Sequence, residues 1–456
     1  MSTRTVDVGR LLDEGQWSNY QKFLIFGTAL TIILDGVDNQ LIGPTIPALM
    51  AEWDLPRSAF SNVLAAGPFG MMFGGAFGGS LGDRIGRRTA LLLSVISFAV
   101  VTLGIAFVNG VTALIVLRFL AGLGLGGAMP NAAALASEYA PRKNRPFAVT
   151  ITIVCVPLGG MLAAYLAGQV IPVYGWRTLF AMGGILPVVL GIVLFKLLPE
   201  SPKFLASRRE KWGQLSTLLR RFGHNVPSDA NFVESASAGP AKQRASLREL
   251  FTPDLRLSTI GLFGSFFFCL MSNYIIISWL VTMLRGVNFT QTAASNMLAV
   301  ANLGGVGGAI LAALVIQRFG SRLTMLTLSA LSVAVAGVLA MMRLDPNATT
   351  GLFIMITLAG CLMNAVQTTM YALAAHVYPT AIRGTGVGIA VAVGRIGHVL
   401  SSYVGEWGVG GGSSVYFMTV ATTMAIVFAS LALVRRHIDR STGERVPARV
   451  AAPATH

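Results

Sequence analysis

Twelve apolar runs, each about as long as a bilayer is thick, divide this chain of 456 residues. Hydrocarbon offers no partner to a backbone N–H or C=O, so only helices and closed barrels cross it. The runs lie at approximately 20–46, 58–81, 89–108, 111–137, 147–171, 178–198, 258–284, 291–316, 323–342, 350–377, 384–406 and 414–434. Each reaches the ~20 residues that a spanning helix needs. Two-residue alternation is missing and the runs are too uniformly apolar for barrel strands, which leaves helices. Charged residues make up 12% of the chain, against roughly 25% in soluble domains. The sequence predicts an all-α membrane protein with twelve transmembrane helices.

A short charged turn, Gly79-Ser80-Leu81-Gly82-Asp83-Arg84-Ile85-Gly86-Arg87-Arg88, is wedged between the second and third runs. A degraded copy, Ala313-Leu314-Val315-Ile316-Gln317-Arg318-Phe319-Gly320-Ser321-Arg322, occupies the matching place in the other half. One turn per half implies duplication, hence two pseudo-symmetric six-helix bundles. Chains built so bind a solute between their halves and rock around it. The expected organisation is an N-terminal segment 1–19, a first bundle 20–198, a central loop 199–257, a second bundle 258–434 and a tail 435–456. In the central loop, Phe204, Leu205, Trp212, Leu215, Leu218 and Leu219 have the spacing of one apolar stripe, beside Arg208, Arg209, Lys211, Arg220 and Arg221. This predicts an amphipathic helix lying on the membrane face, followed by a flexible linker from Asn225 to Gln243.

The net charge of +15 reads as topology rather than nucleic-acid affinity. With the N-terminus in the cytoplasm, most of the 34 Lys and Arg fall on that side, and Arg57, Arg177, Arg285 and Arg343 face outward. That is the positive-inside bias, and it places both termini in the cytoplasm. The surplus suits anionic lipid headgroups. Cys155, Cys269 and Cys361 sit in separate runs and suggest neither a disulfide framework nor a metal site. No signal peptide is expected ahead of Asn19. Two glycosylation-like triplets, Asn288-Phe289-Thr290 and Asn347-Ala348-Thr349, are short enough to arise by chance.

Glycines cluster in the second, fifth, eighth and eleventh runs, for example Gly70, Gly74, Gly78, Gly304, Gly308, Gly394 and Gly397. Small residues let helix backbones approach closely in lipid. Under duplication symmetry the second run pairs with the eleventh and the fifth with the eighth, along the seam between halves.

Ionisable groups inside the runs cost at least about 2.5 kcal/mol near the bilayer centre, so they mark cavities or partners. Asp35 and Asp38 are three apart in the first run, near one helix face. Two carboxyls so placed suit the uptake and release of a proton; the plain alternative is a polar turn bonding only backbone. Arg118, in the fourth run, has Asp35 or Asp38 as its expected partner. Glu138 ends the same run beside Arg142, Lys143 and Arg145, where an interfacial ion pair is as good a reading as a gate. Arg395 lies well inside the eleventh run with no acidic neighbour in sequence. Its donor fork suits either a distant carboxylate or an anionic ligand. Asn39, Gln40, Asn273, Tyr274, Gln367 and Tyr371 are expected to supply polar and aromatic groups to a central cavity. In the charged turn, Asp83 can accept from a helix N-terminus of the opposite half, with Gly79, Arg84, Gly86, Arg87 and Arg88 completing a conformational switch. The alternative is simple anchoring by the arginines. Arg383 and His376 flank Tyr378-Pro379 and read first as interfacial residues.

Gly79 to Arg88 matches the loop signature of the major facilitator superfamily, and Arg118 to Gly126 matches its fourth-helix motif. Leu34-Asp35-Gly36-Val37-Asp38, Met129-Pro130-Asn131, Ser137-Glu138-Tyr139, Tyr378-Pro379-Thr380, Arg383-Gly384-Thr385-Gly386 and Gly394-Arg395-Ile396-Gly397 resemble the motifs of its aromatic acid/proton symporter family. The resemblance implies the major facilitator fold and proton-coupled uptake of benzoate-like anions across a bacterial inner membrane. It assigns Asp35, Asp38, Arg118 and Glu138 to coupling, Asp83 and Arg383 to conformational switching, and Arg395 to substrate. Asn39-Gln40 departs from the family's Thr followed by a small residue, which leaves an aromatic diacid or dicarboxylate open as the substrate. No cofactor beyond the coupling proton is implied, and a monomer is expected to function. An exporter of the same fold is the chief rival reading, and a sensor a more distant one. No nucleophile–base pair or metal cluster suggests an enzyme.

Overall fold

The computed structural model describes residues 5–224, 226, 231–233 and 247–438. A short strand β1 (Thr5–Asp7) and helix α1 (Val8–Glu14) precede the first half. That half comprises α2 (Asn19–Trp53), α3 (Ser61–Ile85), α4 (Arg87–Ile105), α5 (Val111–Tyr139) and α6 (Arg145–Leu197). Helices α7 (Pro202–Ala206) and α8 (Trp212–Arg221) and strand β2 (Asn231–Val233) follow. The second half comprises α9 (Arg256–Gly286), α10 (Gln291–Phe319), α11 (Ser321–Met341), α12 (Thr349–Val377), α13 (Arg383–Gly410) and α14 (Ser413–Ala432).

Among the described residues, ten helical stretches are long and apolar enough to cross a membrane. One of them contains α6, which is two spans in series: Gly175 inside it has φ 77° and ψ 169°, and the chain reverses there. Helix α3, with 25 residues, is diluted by glycine and charge and brings the crossings to twelve. An even number returns the chain to the side it left. That side is called the terminal face below, and the opposite one the far face.

Four glycine turns display the duplication in backbone geometry. Gly86 (φ 107°) joins α3 to α4, and Gly320 (φ 79°) joins α10 to α11. Gly175 (φ 77°) divides α6, and Gly412 (φ 90°) joins α13 to α14. Their ψ values, between 146° and 178°, put all four in a region that side chains other than glycine avoid. Packing repeats the pattern: α2 lies on α6 as α9 lies on α13, and α3 on α5 as α10 on α12. Between the halves α3 meets α13 and α6 meets α10, as duplication symmetry predicts.

The glycine tracks, however, mostly serve each half internally rather than the seam. A Cβ at Gly74 would stand 2.1 Å from the Leu123 carbonyl oxygen, and one at Gly36 2.3 Å from that of Val156. The offset track of α3 faces the seam instead. A Cβ at Gly75 would approach the Arg395 guanidinium at 3.1 Å, whereas Gly79, one turn closer to the terminal face, has nothing within 4 Å. Gly384 and Gly388 of α13 are equally open. Helices α3 and α13 touch at Arg395 and splay toward the terminal face.

The terminal side differs from expectation in two ways. The apolar stripe of α8 is covered by protein, not lipid: Leu215, Leu218 and Leu219 are buried in one cluster with Val8, Leu12, Leu24 and Phe222. The supposed linker is partly structured, because Asn231–Val233 pairs in parallel with Thr5–Asp7. The rest of Asn225 to Gln243, apart from Val226, lies outside the described residues.

The two glycine tracks make opposite predictions. Gly74→Ala must push α3 and α5 apart, at about 1–3 kcal/mol for an overpacked contact, and is expected to lower the thermal midpoint in detergent by several degrees. Gly79→Ala meets open space and should leave the midpoint within about a degree; equal shifts would refute the assignment of the tracks.

Candidate functional site

A cavity of about 200 Å³ lies between the halves, near the middle of the helices. Eight long helices contribute to its wall: α2, α3, α5 and α6 from the first half, and α9, α10, α12 and α13 from the second. Arg395 stands twelve residues into α13, about 18 Å from its terminal-face end at 1.5 Å per residue. Its Nη1 donates to the Met71 carbonyl oxygen on α3. Among the described residues no carboxylate lies within ion-pair distance of it. The remaining donors of the fork therefore have no ion-pair partner among the described residues.

The two first-helix acids occupy different surroundings. Asp35 lines the cavity, and its Oδ1 is buried without a hydrogen bond. Asp38 points away, between α4 and α5: Thr102 Oγ1 donates to it, and Arg118 Nη1 stands 3.8 Å from its Oδ2. Arg118 also approaches the Asp38 backbone carbonyl at 3.4 Å, and Gly67 leaves room for its guanidinium. Three residues on a helix turn through 300°, so neighbours on nearly one face can still look into different spaces. Arg118 thus has Asp38, not Asp35, as its partner.

The floor of the cavity, on its far-face side, is closed by amides that bridge the halves. Asn302 Nδ2 donates to Gln40 Oε1 at 3.0 Å, and Gln40 Nε2 returns a bond to Asn302 Oδ1 at 3.2 Å. Both residues are buried. A Cβ at Gly160 would fall within 2.6 Å of the Gln40 amide, so glycine there makes the slot in which that side chain lies. Beside it, Asn39 Nδ2 donates to Tyr274 Oη at 3.3 Å. Further toward the far face the halves are joined by Arg57 to Glu406 at 3.0 Å, Tyr403 to Asn62 at 2.9 Å and Gln291 to the Pro44 carbonyl at 2.8 Å. All these bridges lie at or beyond the level of Arg395. The far face is sealed and the terminal side is spread.

Tyr274, Gln367 and Tyr371 line the cavity as the sequence suggests. Asn273 does not: it lines a separate small pocket between α9, α10 and α12, and bonds the Cys269 carbonyl at 3.1 Å. Its place one position before Tyr274 turns it about 100° away.

The residues of the charged turn gather at the terminal face. Asp83 pairs with Arg87 at 2.5 Å, not with a helix of the opposite half, and its side chain is 64% exposed. Arg87 reaches Glu138 at 3.9 Å, and Ser201 Oγ donates to Glu138. Glu138 therefore stands with the turn, apart from Asp35 and Asp38. Arg84 offers its carbonyl to Arg208 at 2.6 Å, Arg88 donates to the Phe195 carbonyl, and Arg383 bonds the Tyr378 carbonyl at 3.4 Å. Glu200 caps α4, accepting from the backbone N–H of Arg88 at 2.8 Å and from Thr89 Oγ1 at 3.2 Å. An anion at a helix N-terminus satisfies orphan donors there.

Sequence reasoning passed over His398, Asn302, Thr102 and Glu200. His398 was legible as the residue one turn beyond Arg395, and Asn302 as an amide in an apolar run. Thr102 and Glu200 gave no sign, because each acts on a residue more than 60 positions away.

The family profile of the Major Facilitator Superfamily matches residues 28–253 and 262–455. The chain belongs to the major facilitator superfamily. Within it the chain falls among the aromatic acid transporters, and it is a transporter, not an enzyme. The gallate transporter of Pseudomonas putida is 32% identical across 88% of either chain. The 4-hydroxybenzoate transporter PcaK of Pseudomonas putida is 32% identical, covering 88% of this chain and 89% of its own. The inward-open xylose transporter XylE from E. coli shares the fold, with a TM-score of 0.69 over 91% of this chain and 95% of its own at 20% identity.

The amide bridge yields a prediction. In a Gln40→Ala background, Ile277→Cys at the cavity wall should react several-fold faster with a membrane-impermeant thiol reagent from the far face. Unchanged labelling would show that Gln40 and Asn302 do not seal that side.

Proposed function

We propose that this transporter carries a benzoate-type carboxylate into the cell together with a proton. The observation that carries the proposal is Arg395, a cation in a mid-membrane cavity without a carboxylate of its own. A guanidinium at mid-membrane depth with no ion-pair partner is expensive, and an arriving carboxylate matches its fork with two charge-assisted hydrogen bonds. Tyr274, Tyr371 and His398 supply ring faces and edges for an aromatic body. The names of the relatives point to the same substrate class.

Asp35 is the proposed proton carrier. It shares the cavity with Arg395, and its Oδ1 has no competing donor. When Asp35 carries the proton, Arg395 is free for the anion; when Asp35 is ionised, it competes for the same guanidinium. Loading of one therefore favours loading of the other. Asp38 and Arg118 neutralise each other behind this site and hold α2, α4 and α5 in register.

The positive-inside bias puts the terminal face in the cytoplasm of a bacterial inner membrane. An anion entering an inside-negative cell is opposed by about 2.3 kcal/mol per 100 mV. One proton cancels that charge, and each unit of pH difference adds about 1.4 kcal/mol. On this orientation the open side faces inward, as after substrate release. In the opposite state the spread track of α3 closes on α13, and Asp83 becomes available to the first turn of that helix.

Uptake of labelled 4-hydroxybenzoate by membrane vesicles under an imposed proton gradient tests the proposal. Accumulation that collapses with a protonophore supports it; outward accumulation would make the chain an exporter. Asp35→Asn is expected to abolish accumulation while counterflow exchange survives. Arg395→Lys keeps the charge but loses the fork, and should raise the apparent KM about tenfold, the equivalent of 1.4 kcal/mol.

A further inference from the structure

Resting on the carboxylate reading above, we propose that His398 is a second polar anchor of the substrate, reading an oxygen on the aromatic ring while Arg395 holds the carboxylate. His398 is 7% exposed and lines the cavity. It follows Arg395 by three positions on α13, so the two side chains share a helix face with a 4.5 Å rise between them, His398 lying deeper toward the far face.

The ring is held in place by packing and leaves its nitrogens free. Its plane stacks on Tyr274, 13° from parallel. A Cβ at Gly397 would stand 2.1 Å from the Phe267 carbonyl oxygen, so α13 lies close against α9 and presses His398 onto Tyr274. Tyr274 is in turn fixed across the seam by Asn39. Among the described residues no protein group hydrogen-bonds either ring nitrogen of His398, although its own carbonyl accepts from Ser401. A neutral imidazole offers one donor and one acceptor. His398 borders the cavity, and a cavity is where a ligand can supply the partner its ring lacks. A carboxylate at Arg395 places its ring beside the stacked pair, with a ring hydroxyl in reach of the imidazole edge.

Calorimetric titration of the purified full chain with benzoate, 3-hydroxybenzoate and 4-hydroxybenzoate tests the assignment. The wild type is expected to favour at least one hydroxybenzoate over benzoate. His398→Phe keeps a flat ring on Tyr274 but removes both nitrogens, and should cut that preference about tenfold. His398→Gln, which restores a donor and an acceptor, should recover part of it. Losses of equal size for all three ligands would make His398 a packing residue and overturn the proposal. So would a preference that survives in His398→Phe. A wild type that binds none of the three overturns the carboxylate reading itself, and a thermal midpoint matching wild type separates either result from misfolding.

Discussion

The structure depends on the cost of placing charge in hydrocarbon. Asp35, Asp38 and Arg118 are buried and Arg395 is half-buried, all at mid-membrane depth, where lipid offers them nothing. Each must find a partner inside the protein or border a cavity, and that requirement shapes the helices around them. Asp38 and Arg118 solve the problem within one half, with Thr102 as a third member. Asp35 and Arg395 solve it at the seam, from opposite halves, across a space that a solute can enter. The closed pair gives the first bundle a fixed interior, and the open pair gives the interface its chemistry.

Close backbone packing makes that division possible. Inside each bundle, glycines bring α3 against α5 and α13 against α9 until carbonyl oxygens occupy the space a methyl would need. Between bundles there is a close backbone approach at Gly43, where a Cβ would stand 2.6 Å from the Ile277 carbonyl oxygen, and several side-chain hydrogen bonds: Gln40 with Asn302, Asn39 with Tyr274, Tyr403 with Asn62. Hydrogen bonds of this kind exchange readily with water, each at about 1 kcal/mol net. Jammed backbones do not. The halves are firm within themselves, and away from the approach at Gly43 they are fastened to each other on the far side mainly by side chains.

Much of the fold was legible because the bilayer enforces it. Span length and composition marked the helices, and the repeated turn at Gly86 and Gly320 marked the halves. The site was legible where a residue was conspicuous in its own helix, as Asp35, Arg118 and Arg395 are. It was not legible where the decisive fact was a rotation or a distant partner. Asn273 and Tyr274 are adjacent in sequence, yet one faces a closed pocket and the other the cavity. Asp35 and Asp38 looked equivalent and are not. The stripe on α8 fits a membrane surface as well as it fits the cluster that covers it, since hydrophobic periodicity records that a face is buried without recording by what.

Glycine turns such as Gly86, Gly175, Gly320 and Gly412 carry a mechanical consequence. Helices joined by one or two residues cannot slide along each other by even one turn without unwinding their ends. The joints α3–α4 and α10–α11, the break within α6 and the joint α13–α14 thus act as welds, removing internal degrees of freedom from both bundles alike. What remains is rotation of one block against the other about the sealed side, so displacement grows with distance from that pivot and is largest where Gly79 faces empty space.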